Sequence, residues 1–347
     1  MKLIRRILLT SLALLITLGA AWAEPITNEE EITMNTFTPT WENVKPLGRT
    51  HQLKDSLWLC FSGSGAEFTF HGSRCEVTIA GDINAYPSKR DELVRIAIYV
   101  DGVRVVDDMI DAKEKTYTVM AEETARDAVV RIVKLSETAM STCGVKAISV
   151  DDSAGIRPTP AKARKIEFIG DSITCGYGVD DEVAEHHFST TTEDVTRAYA
   201  YRTAEMLDAD YSMVSISGYG VISGYTATGE EKVTAQQLPK FYEKLGFSYG
   251  TYQKKIAAAT KWDFSAYEPD VIVINLAPTT TATPSPMPTA RRNTAPLMWS
   301  SSRSCARTTP TPASCAPWAS WATASTPPSA RPWRTTPPRP AIPTSPA

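Results

Sequence analysis

Two short stretches hold residue types whose spacing could do chemistry. The first is KIEFIG (165–170), a run of buried-strand residues that leads directly into DSITCGYGVD. A strand ending in Gly-Asp-Ser, followed by residues able to start a helix, puts a serine hydroxyl on a tight turn at the carboxyl edge of a sheet, where open α/β folds bind ligands. Ser172 is therefore a candidate nucleophile, against the plainer expectation that Asp-Ser only caps a helix. The second is YSMVSISGYGVISGYT, which reads as a strand ending at Gly218 and opening into a glycine-rich loop. A glycine there can turn its backbone N–H toward the same edge, as a developing oxyanion requires, or it can serve simply as a turn residue.

Other elements must hold these two loops together. TRAYAYRTAEMLDA (Thr196 to Ala209) reads as an amphipathic helix, and PDVIVINL (Pro269 to Leu276) as a third buried strand of a parallel sheet. Strand, helix, strand, helix, strand implies an open α/β/α three-layer sandwich. Ahead of it, between Trp41 and Asp152, the runs EFTFHGSR, CEVTIAGD, RIAIYVDGVRVVDD, KTYTVM, AVVRIVKL and GVKAISV alternate apolar and polar residues. Period-two alternation with an Asp101-Gly102 turn implies hairpins of a β-sandwich or jelly roll. No catalytic constellation lies in that half, which is read as a structural domain or one that touches carbohydrate through its loops. GIRPTPAKAR is the linker between the two halves.

The chain opens with three basic residues (Lys2, Arg5, Arg6), an apolar run from Ile7 to about Ala20 and a small-x-small exit at Ala21-Trp22-Ala23. This is the pattern of a secretory signal peptide, the run being short for a stable membrane anchor, and it places the mature chain outside the cytoplasm, secreted or periplasmic. The formal charge of -3 conceals a more acidic middle: between residues 24 and 276 there are 26 Lys+Arg against 39 Asp+Glu, about -13. That argues against nucleic acid and other polyanions and leaves neutral polysaccharides open. The six cysteines (Cys60, Cys75, Cys143, Cys175, Cys305, Cys315) have no CxxC spacing, and a disulfide among the first three or isolated buried thiols are both compatible with an exported chain. With four histidines (His51, His71, His186, His187), the sequence suggests no metal site and no cofactor.

FIGDSITCGYGVD, FSTTTEDVTRAYAY and SISGYGVISGYT together resemble the GDSL or SGNH hydrolase superfamily, and within it the family 2 carbohydrate esterases, secreted deacetylases of xylan and related polysaccharides. The resemblance runs from about Phe37 to Leu276. It implies a signal peptide (1–23), a jelly-roll β-sandwich (24–157) and a partial SGNH domain (158–276), with acetylated polysaccharide as substrate. By matching motif, it makes Ser172 the nucleophile and gives the backbone N–H groups of Ser172 and Gly218 to the oxyanion hole.

The family pattern continues the third strand into Gly-Thr-Asn-Asp, whose Asn is the third oxyanion donor, and much later into a segment that supplies a histidine base. Here Ala277-Pro278-Thr279-Thr280 follows instead, so the expected Asn is lost at Thr279. From Ala277 to Ala347 there is no Asp, Glu, Lys, Gln, Gly, His, Val, Phe or Tyr. A Pro/Thr/Ser linker does not explain a start inside a sheet or four tryptophans; a lost base does. GGC-ACC-AAC-GAC without one G reads Ala-Pro-Thr-Thr. Read one base earlier, the codons of Met298-Trp299 force a Val within an amphipathic pattern, and Trp318-Ala319 and Trp321-Ala322 each force a Gly. Residues 277–347 are thus expected to be a disordered, out-of-frame tail.

Two consequences are expected. As printed, the chain lacks the base and one oxyanion donor, and should be an inactive, misfolded derivative of an esterase; His186 and His187 match no family base and read as loop residues. The alternatives are a non-catalytic carbohydrate-binding protein, for which Trp58, Tyr99 or Trp262 would need an exposed face, and an SGNH lipase or esterase of other specificity. The particular polysaccharide and the oligomeric state stay open.

Overall fold

The computed structural model of the chain describes residues 33–85, 90–183, 185–226, 231–276 and 300–301. The leader (1–23) and the tail with Thr279 lie outside the described residues, except for Ser300–Ser301.

The first unit is an antiparallel sheet of ten described strands: β1 (Asn35–Phe37), β2 (Lys45–Leu47), β3 (Thr50–Gln52), β4 (Leu57–Leu59), β5 (Gly65–Gly81), β6 (Val94–Val100), β7 (Val103–Ile110), β8 (Glu114–Lys134), β9 (Cys143–Val150) and β10 (Arg157–Pro158). Its main path runs β3-β4-β9-β5-β8-β6-β7. Asp101 and Gly102 join β6 to β7 with φ of +49° and +81°, the left-handed pair that a tight hairpin with right-handed twist needs. One expectation is corrected. EFTFHGSR and CEVTIAGD form the single strand β5, and KTYTVM and AVVRIVKL the single strand β8, because bulges near Gly72 and Cys75 re-aim the ladder without ending it. The Asp151 carboxylate fills the bulge, accepting the N–H groups of Ser73 and Arg74. Alternate side chains of β4, β5, β6, β8 and β9, among them Leu57, Phe68, Val77, Ile79, Ile96, Val130 and Ile148, meet in one core. Each large apolar side chain buried there contributes about 1.5–3 kcal/mol.

The second unit is built on three parallel strands, β11 (Arg164–Gly170), β12 (Ala209–Ser215) and β13 (Val271–Asn275), in the order β12-β11-β13. Gly170 is level with Ser215 on one side and Asn275 on the other, so all three chains leave the sheet at one edge. Ser300–Ser301 runs antiparallel beside Val271–Ile272. The helices are short: α1 (Ser172–Cys175), α2 (Tyr199–Met206) and α3 (Pro239–Tyr242). α2 is the helix expected over 196–209, trimmed by a 3-10 turn before it and by Asp208, whose φ of +47° reverses the chain into β12.

The second crossover departs from the expectation of a helix. From 216 to 270 the only α-helix among the described residues is the one-turn α3. The apolar residues of this segment do not form a helical stripe because they are divided between two surfaces. Leu245, Tyr252, Ala257 and Trp262 pack on Trp58 and Cys60 of the first unit, while Tyr219, Leu238 and Phe241 cover the parallel sheet.

β11 and β12 are covered on both faces, as strands of a parallel sheet require, while β13 is only half-buried and Ile274 is exposed among the described residues. Ile166, Phe168 and Met213 face α2 together with Ala97, Val133 and Leu135 of the antiparallel unit; Ile169, Val214 and Ile216 face Phe61 and Ala139 on the other side. The two units therefore share hydrophobic cores. Among the described residues no helix is long and apolar enough to cross a membrane.

Candidate active site

β11 is the central strand of the parallel trio, and the turn leaving it carries Ser172. Only glycine admits this turn. A Cβ on Gly170 would lie 1.9 Å from Thr174 Oγ1, and one on Gly176 would lie 2.6 Å from the Asp194 carbonyl oxygen. Asp171 caps α1, its Oδ1 accepting the Ile173 N–H at 3.2 Å, and Gly176 (φ +83°) closes it. The helix cap and the presented serine are thus the same structure. Thr174 Oγ1 lies 3.1 Å from the Tyr199 hydroxyl, which also bonds the Asn275 side chain. The turn is tied through α2 to the end of β13.

Behind the turn, FSTTTEDVTRAYAY serves as a bracket. Asp194 accepts from Arg104 Nη2 at 2.8 Å and caps the 3-10 turn Val195–Arg197; Arg95 Nη1 donates to Asp180 Oδ2 at 2.7 Å and to the carbonyls of Thr191 and Glu193. Both arginines come from the antiparallel unit, so the first half of the chain fixes the backing of the serine turn.

Ser172, half-buried, lines a cavity of about 640 Å³ that Gly218 also lines. Gly218 has φ +76°, and its carbonyl accepts the Tyr225 N–H at 2.7 Å. Tyr177, Phe188, Tyr219, Tyr225 and Tyr249 supply aromatic walls. Glu137 also lines the cavity, at 1% exposure, and its Oε2 accepts the Ser217 N–H at 3.0 Å. Glu193 is fully buried beside it and accepts the Glu137 N–H at 2.8 Å. Burial pushes the carboxyl of Glu137 up, and burial together with the charge of Glu137 pushes Glu193 well up; burial pulls the Lys134 ammonium down. Burial also pushes the Cys175 thiol well up, which makes it a packing group rather than a rival nucleophile.

The sequence placed Ser172 and Gly218, and the structure brings them to one cavity. It places none of the four histidines there. His186 and His187 are exposed, with His186 Nδ1 3.0 Å from Asp181 Oδ1; His71 sits beside Asp127 and His51 packs edge-on to Trp58. The described cysteines Cys60, Cys75, Cys143 and Cys175 are free and buried, so no disulfide joins the first three. Trp58 and Trp262 are buried and Tyr99 is half-buried under Arg104, so these three form no exposed aromatic platform. Among the described residues no cluster could hold a metal ion. Sequence reasoning missed Glu137, Glu193 and the aromatic wall: Glu137 and Tyr249 lie outside the quoted motifs, and Glu193, Tyr177, Phe188, Tyr219 and Tyr225 lie within them but nothing in their spacing marks them as cavity residues.

The serine on the turn after the central parallel strand thus shares a cavity with a glycine loop from the neighbouring strand. Residues 47–160 match the family model described as carbohydrate esterase 2 N-terminal. A cellulase/esterase, CelE, from Acetivibrio thermocellus is 30% identical over 220 residues, which is 62% of this chain and 24% of that protein. An acetylxylan esterase / glucomannan deacetylase from Cellvibrio japonicus is 24% identical over 263 residues, 75% of this chain and 68% of that protein. The solved structure of an acetyl xylan esterase from the rumen bacterium Butyrivibrio proteoclasticus superposes with a TM-score of 0.62 at 25% identity, covering 71% of this chain and 65% of that one. The chain is therefore a relative of the family 2 carbohydrate esterases, which are carboxylic ester hydrolases. It spans about a quarter of the length of the first of these relatives.

Proposed function

We propose that this chain derives from a secreted serine esterase that removes acetyl groups from xylan or related plant polysaccharides, and that as written it lacks two parts of the machinery. The observation that carries this reading is the shared cavity of Ser172 and Gly218 at the carboxyl edge of the sheet. In the intact enzyme a histidine base takes the Ser172 hydroxyl proton as Oγ attacks the acetyl carbonyl, the N–H groups of Ser172 and Gly218 receive the oxyanion, the base returns the proton to the departing sugar oxygen, and it then deprotonates the water that releases acetate from the acyl-serine. Tyrosine faces and hydroxyls around the cavity suit a sugar better than a long acyl chain.

The missing parts are the base and the third oxyanion donor. A general base contributes roughly 10²–10⁴-fold and an oxyanion donor about 10²–10³-fold. The strand ends at Asn275, and after Leu276 the family's Gly-Thr-Asn-Asp would follow; a one-base loss at codon 277 accounts for Ala-Pro-Thr-Thr. The organisation into leader, jelly-roll sandwich and interrupted SGNH domain belongs to the same reading.

The test is acetate release from acetylated xylan by the protein as printed, by a frame-restored protein and by its Ser172→Ala variant. Activity in the frame-restored protein alone is expected; strong hydrolysis by the printed chain would overturn the inactive reading. An aromatic-walled cavity with no histidine favours one second reading, a carbohydrate-binding protein without chemistry. Retention on insoluble xylan with no acetate released marks that outcome.

A further inference from the structure

Glu137 stands in a loop of the antiparallel unit, yet its side chain reaches the loop that follows β12. Its own backbone is held on both sides: Glu193 Oε2 accepts its N–H at 2.8 Å, and its carbonyl accepts from Lys134 Nζ at 2.7 Å. Lys134 Nζ also donates to the Ser136 carbonyl at 2.6 Å, and Lys134 and Glu193 are fully buried. The carboxylate so anchored accepts the Ser217 N–H at 3.0 Å, one residue before Gly218. The Ser217 hydroxyl lies beside the same carboxyl.

We propose that Glu137 is a positioning residue for the reaction: its carboxyl, braced by Glu193 and Lys134, clamps the Ser217 N–H and so fixes the direction of the Gly218 N–H in the Ser172 cavity. This rests on the esterase reading of Ser172 and Gly218. The groups facing Glu137 are Glu193 and Lys134, the Cys175 thiol of α1, and the cavity tyrosines Tyr177 and Tyr219. With two carboxyls and one ammonium out of water, the arrangement favours keeping a proton on the carboxyl pair. A neutral Glu137 still accepts from Ser217 through its carbonyl oxygen and sets no negative charge beside a developing oxyanion. Loss of that proton keeps the clamp but opposes the oxyanion.

The test follows the Ser217 and Gly218 amide resonances of the ¹⁵N-labelled full chain between about pH 4 and 9, above and below the ~4.3 of an unburied glutamate. In the unsubstituted chain the Ser217 amide is expected to titrate with a midpoint above that value. Glu137→Gln, which keeps an acceptor, should hold the Ser217 amide in its hydrogen-bonded position and abolish the titration. Glu137→Leu should move the Ser217 amide upfield and shift Gly218 with it. A Ser217 amide that does not titrate, that titrates unchanged in Glu137→Gln, or that ignores Glu137→Leu overturns the proposal. Failure of the esterase reading is separable, since it appears as absent acetate release by the frame-restored protein while the amide titration persists.

Discussion

Arg49 and Glu167 form a buried ion pair across the two units, Nη2 to Oε2 at 3.2 Å, with 0% and 4% side-chain exposure. The guanidinium lies within 4.9–6.0 Å of the ring centroids of Tyr242, Trp262, Phe264 and Phe61, and also donates to the carbonyls of Tyr242 and Lys244. Glu167, on the central strand β11, accepts further from Tyr242 Oη at 2.7 Å and Ser212 Oγ at 3.1 Å. Removing one partner strands the other charge out of water, at a cost of about 3–5 kcal/mol. Arg49→Met should therefore lower the unfolding free energy by that amount, while Arg49→Met with Glu167→Leu should recover a large part of it. Urea unfolding of the three proteins checks this, and a single variant no less stable than the parent would refute it.

Gly218 and Gly102 make a matched pair. Both have strongly positive φ (+76° and +81°), and a Cβ on either meets nothing closer than 3.7 Å. Alanine at each should thus cost a similar amount, about 1–2 kcal/mol, for left-handed backbone alone. Only Gly218 lines the Ser172 cavity. In the frame-restored protein the left-handed strain of Gly218→Ala should turn the residue-218 N–H off its aim and lower kcat, by at most the roughly 10²–10³ that loss of a whole oxyanion donor costs, with KM little changed. Gly102→Ala should leave both constants as they were. Equal kinetics for the two variants would show that left-handed strain at Gly218 leaves the rate untouched, and so that the aim of its N–H is not set by glycine.

The parallel strands were legible because KIEFIG, YSMVSIS and PDVIVINL are continuous apolar runs, the first two of them largely buried, and the serine turn was legible because Gly170 and Gly176 admit no substitute. The second crossover was not. Its aromatic residues serve two surfaces, so they leave no helical period to read. The breaks inside β5 and β8 looked like turns, since a bulge and a turn share glycine and polar residues. Glu137 was invisible for a different reason. It lies 80 residues from Ser217, and nothing in LSETAMST distinguishes a buried carboxylate from a solvated one.

The buried carboxyls imply a definite slope of stability with pH. Burial raises the folded pKa of Glu137 and Glu193, so each binds its proton more tightly folded than unfolded. That contribution is fully present below the unfolded value of about 4.3 and is lost as pH rises through the folded value, by up to ~1.4 kcal/mol per pH unit for each proton retained. Glu67 and Asp107 run the other way. Burial alone would raise them, but Arg131 beside Glu67 and Arg95 beside Asp107 hold both below the usual carboxylate range, so their contribution is lost in acid. Stability should accordingly peak in mildly acidic solution and fall toward neutral pH. Glu193→Gln should flatten the neutral-side fall without changing the acid limb, as urea midpoints across the range would report. A fall of the same steepness in that variant would show that Glu193 does not carry it.

His186 with Asp181, Nδ1 to Oδ1 at 3.0 Å, copies the base-and-orienter half of a catalytic triad. Its position denies it that role: the ring is exposed, neither His186 nor His187 lines the cavity of Ser172, and a base must reach the proton it removes. Replacing both by alanine should leave acetate release by the frame-restored protein unchanged, and should leave the printed chain as inactive as before. The measurement is the pH profile of kcat/KM for the frame-restored protein with and without the two histidines. An unchanged limb near the ~6.5 of a free histidine assigns the base to the segment restored beyond codon 277; its disappearance would make His186 or His187 the base and return a complete mechanism to the chain as written.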